Sequence, residues 1–324
     1  MKKYIFLLIL AFLLTGCDAA PEPAEATALP VVETAETLPV PAVKAEAEAL
    51  AEEVPPPTGV VLEPVAPGDR EQRCEQCVVD YSNAEEGYVM AFYYGQTDKR
   101  LKLLLKGPTT TYHYDLPQGQ WVVLPLSDGD GGYQAGIYRN VRGAEYAMVM
   151  LADFDVTLHD EFAPFLRPNQ YVNYLAAPNT VEKGAQLCAH LEHPLEKVAA
   201  VYDYVVQNLH YDDEKAATVQ SGYLPNLDEI LQIQKGICFD YAAMMTAMLR
   251  SQQVPCKLVV GYAGSIYHAW ISVWTEEDGW IDGAIFFDGH AWKRMDPTFV
   301  SSAQNREEIL DFVEHGTYTV KYLY

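Results

Sequence analysis

Cys238, His268 and Asp296 are the residues of this chain whose types and spacing could do covalent chemistry. Cys238 stands in Gly236-Ile237-Cys238-Phe239-Asp240-Tyr241-Ala242; about 30 residues on comes Tyr267-His268-Ala269-Trp270, and about 28 further comes Met295-Asp296-Pro297-Thr298. A free thiol is only a few per cent thiolate at neutral pH, so a nucleophilic cysteine needs an imidazole beside it, a helix N-terminus beneath it, or both. The imidazole is in turn held in one tautomer by a carboxylate that accepts its second N–H. Each residue alone has an inert reading: a structural thiol, a satisfied core histidine, a turn-forming Asp before Pro. The ordered set is what points to a cysteine active site.

The elements around these residues can position them. From Cys238 to Arg250 the chain lacks Gly and Pro and is rich in helix formers, which predicts a helix with the sulfur at its positive end. Gly236 reads as a permissive hinge into that helix. The β-branched and aromatic run Ile266 to Trp274 predicts a buried strand carrying His268. Ala291 to Met295 predicts a short strand that Pro297 ends by removing a ladder donor, leaving Asp296 at its tip. Asp282, in Gly279-Trp280-Ile281-Asp282-Gly283, is a rival for the carboxylate role because it lies closer in sequence to His268, with Ala284 to Trp292 reading as an extra hairpin. Upstream, Leu195, Val198, Tyr202, Val205 and Leu209 form one apolar helical stripe behind Pro194. A second helix is predicted to start at Asn226, with Leu227, Ile230 and Leu231 inward. Helices followed by an antiparallel sheet predict an α+β layer.

This set resembles the transglutaminase-like superfamily of cysteine enzymes, in the form common among bacterial extracytoplasmic proteins, and is similar in logic to papain-like proteases. The likeness runs from the Pro194 helix to beyond Phe299 and includes Val206-Gln207-Asn208-Leu209-His210-Tyr211-Asp212, Leu249 to Pro255 and Val259-Val260-Gly261-Tyr262. The resemblance implies Cys238 as nucleophile, His268 as general base and acid, and Asp296 as orienting carboxylate, since Asp-Pro-Thr is the family's context and Asp282 lacks it. It implies oxyanion donors at the backbone N–H of Cys238 and one upstream group.

Four segments follow from composition. Lys2 and Lys3 before the apolar stretch Tyr4 to Leu14 read as a secretion signal, too short to span a membrane. Its Leu-Thr-Gly-Cys ending resembles a bacterial lipobox, which implies lipidation at Cys17, a signal peptide over 1–17 and an extracytoplasmic, membrane-anchored protein. Residues 18–73 are rich in Ala, Pro, Glu and Val and read as a disordered tether. That tether carries a large share of the net charge of −23, a balance that argues against nucleic acid as partner. Short strand-like runs separated by Gly, Asp and Pro turns predict an immunoglobulin-like β-sandwich over 74–166, either a substrate- or wall-binding module or a spacer. Residues 167–324 are then the catalytic domain, and the fold class is α+β preceded by an all-β sandwich.

Cys74-Glu75-Gln76-Cys77 could be half of a metal site, a redox pair or a local disulfide; with no second matching pair zinc is not expected, and a structural local disulfide or two inert thiols is expected over redox catalysis. Cys188 and Cys256 read as small core residues that a disulfide could still join. No metal or cofactor is expected. The function expected is acyl transfer through a thioester, on protein or cell-wall peptide, as a peptidase or amidase. The alternatives are an amine-accepting cross-linker and a non-catalytic binding lipoprotein.

Overall fold

Apolar residues at alternate positions, punctuated by Gly and Asp turns, become two antiparallel sheets in the first half of the molecule. The computed structural model describes residues 58–282, 285–287, 292–294 and 317–324. Strands β1 (Glu71–Arg73), β2 (Cys77–Asp80), β3 (Tyr88–Tyr93) and β6 (Trp121–Pro125) form one sheet, in the order β1-β2-β3-β6. Strands β4 (Leu101–Lys106), β5 (Thr111–Asp115), β7 (Gly131–Arg142) and β8 (Glu145–Val156) form the other, in the order β5-β4-β7-β8. Leu101, Leu103 and Leu105 on β4 are buried between Lys102 and Lys106, as a period of two requires for a strand with one face inward. The six runs that read as strands between 88 and 151 are strands; β1 and β2 are too short to show periodicity.

The second half begins with helices α1 (Pro178–Leu187), α2 (Pro194–Asn208), α3 (Asp213–Thr218), α4 (Leu227–Ile233) and α5 (Cys238–Arg250). In α2, Leu195, Val198, Val201, Tyr202 and Val205 are buried on one stripe, and Pro sits at its first turn where no N–H is needed. Asn226 caps α4 through Glu229 N–H. Short strands β9 (His210–Tyr211) and β10 (Lys235–Gly236) pair in parallel just before α5. Strands β11 (Cys256–Ala263), β12 (Ile266–Thr275), β13 (Gly279–Asp282) and β16 (Tyr318–Leu323) form an antiparallel sheet in the order β13-β12-β11-β16, and β14 (Ile285–Phe287) pairs with β15 (Trp292–Arg294) as a hairpin.

Helix α5 is buried on every side from Asp240 to Arg250, so it is the axis of the core rather than a surface helix. Its last residue, Arg250, is wholly buried and donates to three main-chain carbonyls: Cys256 at 2.8 Å, Arg167 at 2.7 Å and Tyr324 at 2.6 Å. One guanidinium thereby ties the helix that Cys238 begins to the segment after β8, to the start of β11 and to the strand after which Tyr324 lies.

Two expectations about chain organisation need correction. The tether assigned to 18–73 does not extend to residue 73, because residues 58–73 lie against the molecule. Val60 N–H donates to Ser251 O at 2.7 Å, Gly68 N–H to Asp80 at 2.6 Å, and β1 pairs with β2. Pro and Glu content cannot reveal such backbone docking. Nor does a division near 166 separate two compact bodies. The described residues share one continuous core, with Tyr112 and Tyr114 of β5 packed edge-on against Tyr324.

Candidate active site

Cys238 is the first residue of α5 and is half-buried, so its sulfur lies where the helix's unpaired N–H groups and dipole favour negative charge. The residue that fixes this helix start is Asp240, two positions on and fully buried. Its carboxylate accepts the Ile237 N–H at 2.9 Å, the Tyr223 hydroxyl at 2.6 Å and the Lys215 ammonium at 2.5 Å. Burial, followed by the Asp240 carboxylate, pushes the Tyr223 hydroxyl well above its ordinary value, which keeps it a donor. An acidic residue three places after the residue preceding a helix is a sequence signal for such a cap. Its link to Lys215 and Tyr223, both on the segment around α3, is not readable from spacing.

Gly236 serves a different purpose from the one expected. It sits in β10 with ordinary strand geometry, and a Cβ there would come within 2.7 Å of the Asp240 Cβ. The glycine makes room for the carboxylate rather than bending the chain.

His268 is buried near the start of β12, opposite Gly261 of β11, with its ring stacked on Trp270 at 6.2 Å between centroids. Cys238 and His268 line the same cleft, of ≈ 620 Å³. Asp296 lies outside the described residues. Asp282 is exposed and pairs with Ser272, four residues along β12 from His268, a displacement of about 13 Å at 3.3 Å per residue. Asp282 instead faces Lys257, whose ammonium lies 3.4 Å from the centre of the Trp280 ring and 4.9 Å from that of Phe165. Burial lowers the Lys257 pKa to about 8, against the opposing pull of Asp282 and Glu161.

Aromatic side chains dominate the cleft wall. Phe239, Tyr171, Tyr223, Tyr267, Tyr322 and Tyr324 line it, and Tyr171 meets Phe239 edge-on at 5.8 Å. His113, from β5 of the first half, also lines it; burial, with Lys102 and Lys321, lowers its pKa. Among the described residues that line the cleft there is no Asp, Glu, Lys or Arg. No group of described residues has the makings of a metal site. Sequence spacing located Cys238 and His268, but not the aromatic wall, which converges from five separate segments.

A thiol at a helix start and an imidazole in the adjoining sheet share one cleft, and comparison with known proteins finds a likeness over the segment that carries them. Residues 182–283 match the model of the Transglutaminase-like superfamily. The superfamily consists in general of cysteine-dependent enzymes acting on protein or peptide substrates. The chain is 28% identical over 109 residues to the uncharacterized protein YebA of Bacillus subtilis, covering 28% of this chain and 15% of that one. It is 26% identical over 98 residues to a protein-glutamine gamma-glutamyltransferase of Pseudomonas aeruginosa, covering 26% of this chain and 13% of that one. The match thus spans under a sixth of either relative's length. Among solved structures, the periplasmic domain of TgpA from Pseudomonas aeruginosa aligns over 74% of this chain and 99% of its own, at 14% identity and TM-score 0.34. Red sea bream transglutaminase aligns over 72% and 56%, at 12% identity and TM-score 0.30.

Proposed function

We propose that the protein is a membrane-anchored, extracytoplasmic cysteine enzyme that acts on amide bonds of protein or peptide substrates, including cell-wall peptide, through a thioester. Cys238 attacks the carbonyl carbon, and its proton passes to His268. The tetrahedral oxyanion is met by the Cys238 N–H and the field of α5. His268 then protonates the leaving amine, and Asp296 holds the imidazole in the tautomer that faces the sulfur. Water resolves the thioester in a peptidase or amidase. The observation that carries this reading is that Cys238, at the first position of α5, and His268 line one cleft.

A second reading, with a primary amine as acceptor, is favoured by the likeness to a protein-glutamine gamma-glutamyltransferase. The anchor rests on the Leu-Thr-Gly-Cys17 sequence. The strand orders β1-β2-β3-β6 and β5-β4-β7-β8, in which the chain changes sheet between β3 and β4, returns between β5 and β6 and changes again between β6 and β7, support reading the first half as an immunoglobulin-like sandwich. Its His113 brings that sandwich into the cleft as a substrate-reading wall.

The test is alkylation of the intact protein by iodoacetamide at neutral pH, mapped by peptide mass. Cys238 is expected to react faster than Cys188 and Cys256, and His268→Ala to slow it by roughly a hundredfold, in line with loss of a general base. Equal rates in the two proteins would overturn the assignment. Incorporation of a fluorescent primary amine into a glutamine-containing protein, set against release of ammonia or peptide without it, separates the two acceptors.

A further inference from the structure

The Cys74-Glu75-Gln76-Cys77 turn joins β1 to β2, far in sequence from the cleft, and the proposed function leaves it unused. Its two sulfurs lie 3.2 Å apart. The turn is closed by the Cys74 N–H donating to Cys77 O at 2.9 Å and is held down by the Tyr94 hydroxyl, which reaches Cys74 O and Cys77 O. Tyr94 N–H and Gly95 N–H both donate to Gln76 O at 3.0 Å, so the turn is docked on the end of β3. The two thiols are unequal. Cys74 is half-buried and its sulfur accepts the Gln76 N–H at 3.4 Å, whereas Cys77 is wholly buried beside the Met150 sulfur at 4.0 Å.

We propose that Cys74 and Cys77 are a thiol–disulfide exchange site, with Cys74 as the attacking sulfur and Cys77 as the resolving one. The partner class is a small or protein disulfide of the glutathione type. In the forward step the Cys74 thiolate attacks one sulfur of the partner disulfide, forms a mixed disulfide and expels one partner thiolate. The Cys77 thiol then gives its proton to solvent, its sulfur attacks the Cys74 sulfur, and the second partner thiolate leaves. The protein loses two electrons and two protons, and the partner disulfide becomes two thiols.

The asymmetry supports this order. Partial burial raises the Cys74 pKa, but the Gln76 N–H, the Cys77 thiol and the Cys77 N–H outweigh it, leaving Cys74 below the ordinary thiol value. Burial, and then Cys74, push Cys77 up to about 12. A more acidic, accessible thiol ahead of a buried one is the arrangement in which the first is attacked by, and attacks, partners while the second closes the ring. A bridge across four residues closes a very short loop and so restricts the unfolded chain little, and holding the fold together is not what such a bond does best.

The experiment uses the full chain in glutathione redox buffers, quenched with acid and mapped by peptide mass. The wild type is expected to lose two hydrogens from the peptide containing Cys74 and Cys77 as the oxidised fraction rises, and to regain them on return to reduced glutathione. Cys77→Ser is expected to trap glutathione on Cys74, and Cys74→Ser to trap it on Cys77 at least roughly tenfold more slowly. A wild-type peptide that stays dithiol at every ratio, or equal trapping in the two variants, overturns the proposal. The wild-type measurement needs no variant to fold, and Cys238 mapped in the same digest reports separately on the proposed nucleophile.

Discussion

Asp240 is the residue whose loss should be felt most at the start of α5, the helix that Cys238 begins, and Asp240→Asn is the perturbation to make. The substitution keeps the shape but turns one acceptor oxygen into an NH2, so at least one of the three donors now at 2.5 to 2.9 Å meets another donor. If the Ile237 N–H or the Tyr223 hydroxyl is the orphan, the buried group costs about 1–3 kcal/mol. The Lys215 ion pair adds less than a fully buried one would, because the Lys215 side chain is 25% exposed against 0% for Asp240. Discounted for that screening, its loss is about 1 kcal/mol. The sum is about 3 kcal/mol, which in a unit of this size lowers Tm by roughly 6–12 °C. Urea unfolding of wild type, Asp240→Asn, Lys215→Met and the double variant gives the total and, by cycle, the pairwise share, expected near 1 kcal/mol. An Asp240→Asn protein within about 0.5 kcal/mol of wild type, the ordinary range for surface changes, would refute the reading of Asp240 as the anchor of α5.

Further outcomes are expected elsewhere. Gly236→Ala should destabilise by about 1–3 kcal/mol, measured by urea unfolding, because its methyl would sit 2.7 Å from the Asp240 Cβ; a penalty that vanishes when Gly236→Ala is made in an Asp240→Gly background, relative to Asp240→Gly alone, would identify that clash as the cause. Arg250→Met should cost about 3–5 kcal/mol in the same assay, because Cys256 O and Arg167 O lose the donor that Arg250 supplies and Tyr324 O is left with the Leu258 N–H alone. Lys257 has a folded-state pKa depressed to about 8 from 10.5, so above pH 8 the unfolded chain binds the extra proton and stability contributed by this group rises up to about pH 10.5. Lys257→Met should therefore flatten the pH dependence of Tm across that window relative to wild type, and an unchanged slope would count against a buried, deprotonating lysine.

How much of this was legible in the sequence depends on how local the signal is. Cys238 to Arg250 as a helix and Ile266 to Trp274 as a strand are written in propensity and period, and the structure has a helix over Cys238–Arg250 and a strand over Ile266–Thr275; the extra hairpin expected over Ala284 to Trp292 pairs Ile285–Phe287 with Trp292–Arg294. Pro194 and Asn226 marked helix starts because capping is a matter of one or two residues. Gly236 was misread because its reason is a steric one, set by a side chain four residues away. The wall of the cleft was invisible for a different reason: His113, Tyr171, Tyr223, Tyr267 and Tyr322 come together only through pairing and packing across most of the described chain. Asp282 stood as a rival for the carboxylate role by sequence distance alone, and strand register moves it away from His268.

The position of β16 bears on how the molecule is made. Strand β11 pairs at once with β12, its neighbour in the chain, but its other edge is covered only by residues 318–323, and Tyr324 closes the ladder at Leu258 and receives Arg250. During synthesis that edge stays open while some 50 further residues are added. An exposed row of unpaired amides on a strand of Leu258, Val259 and Val260 is a template for another chain. Translation speed between β12 and β16, and any chaperone that masks β11 until β16 has been made, should therefore bear on yield.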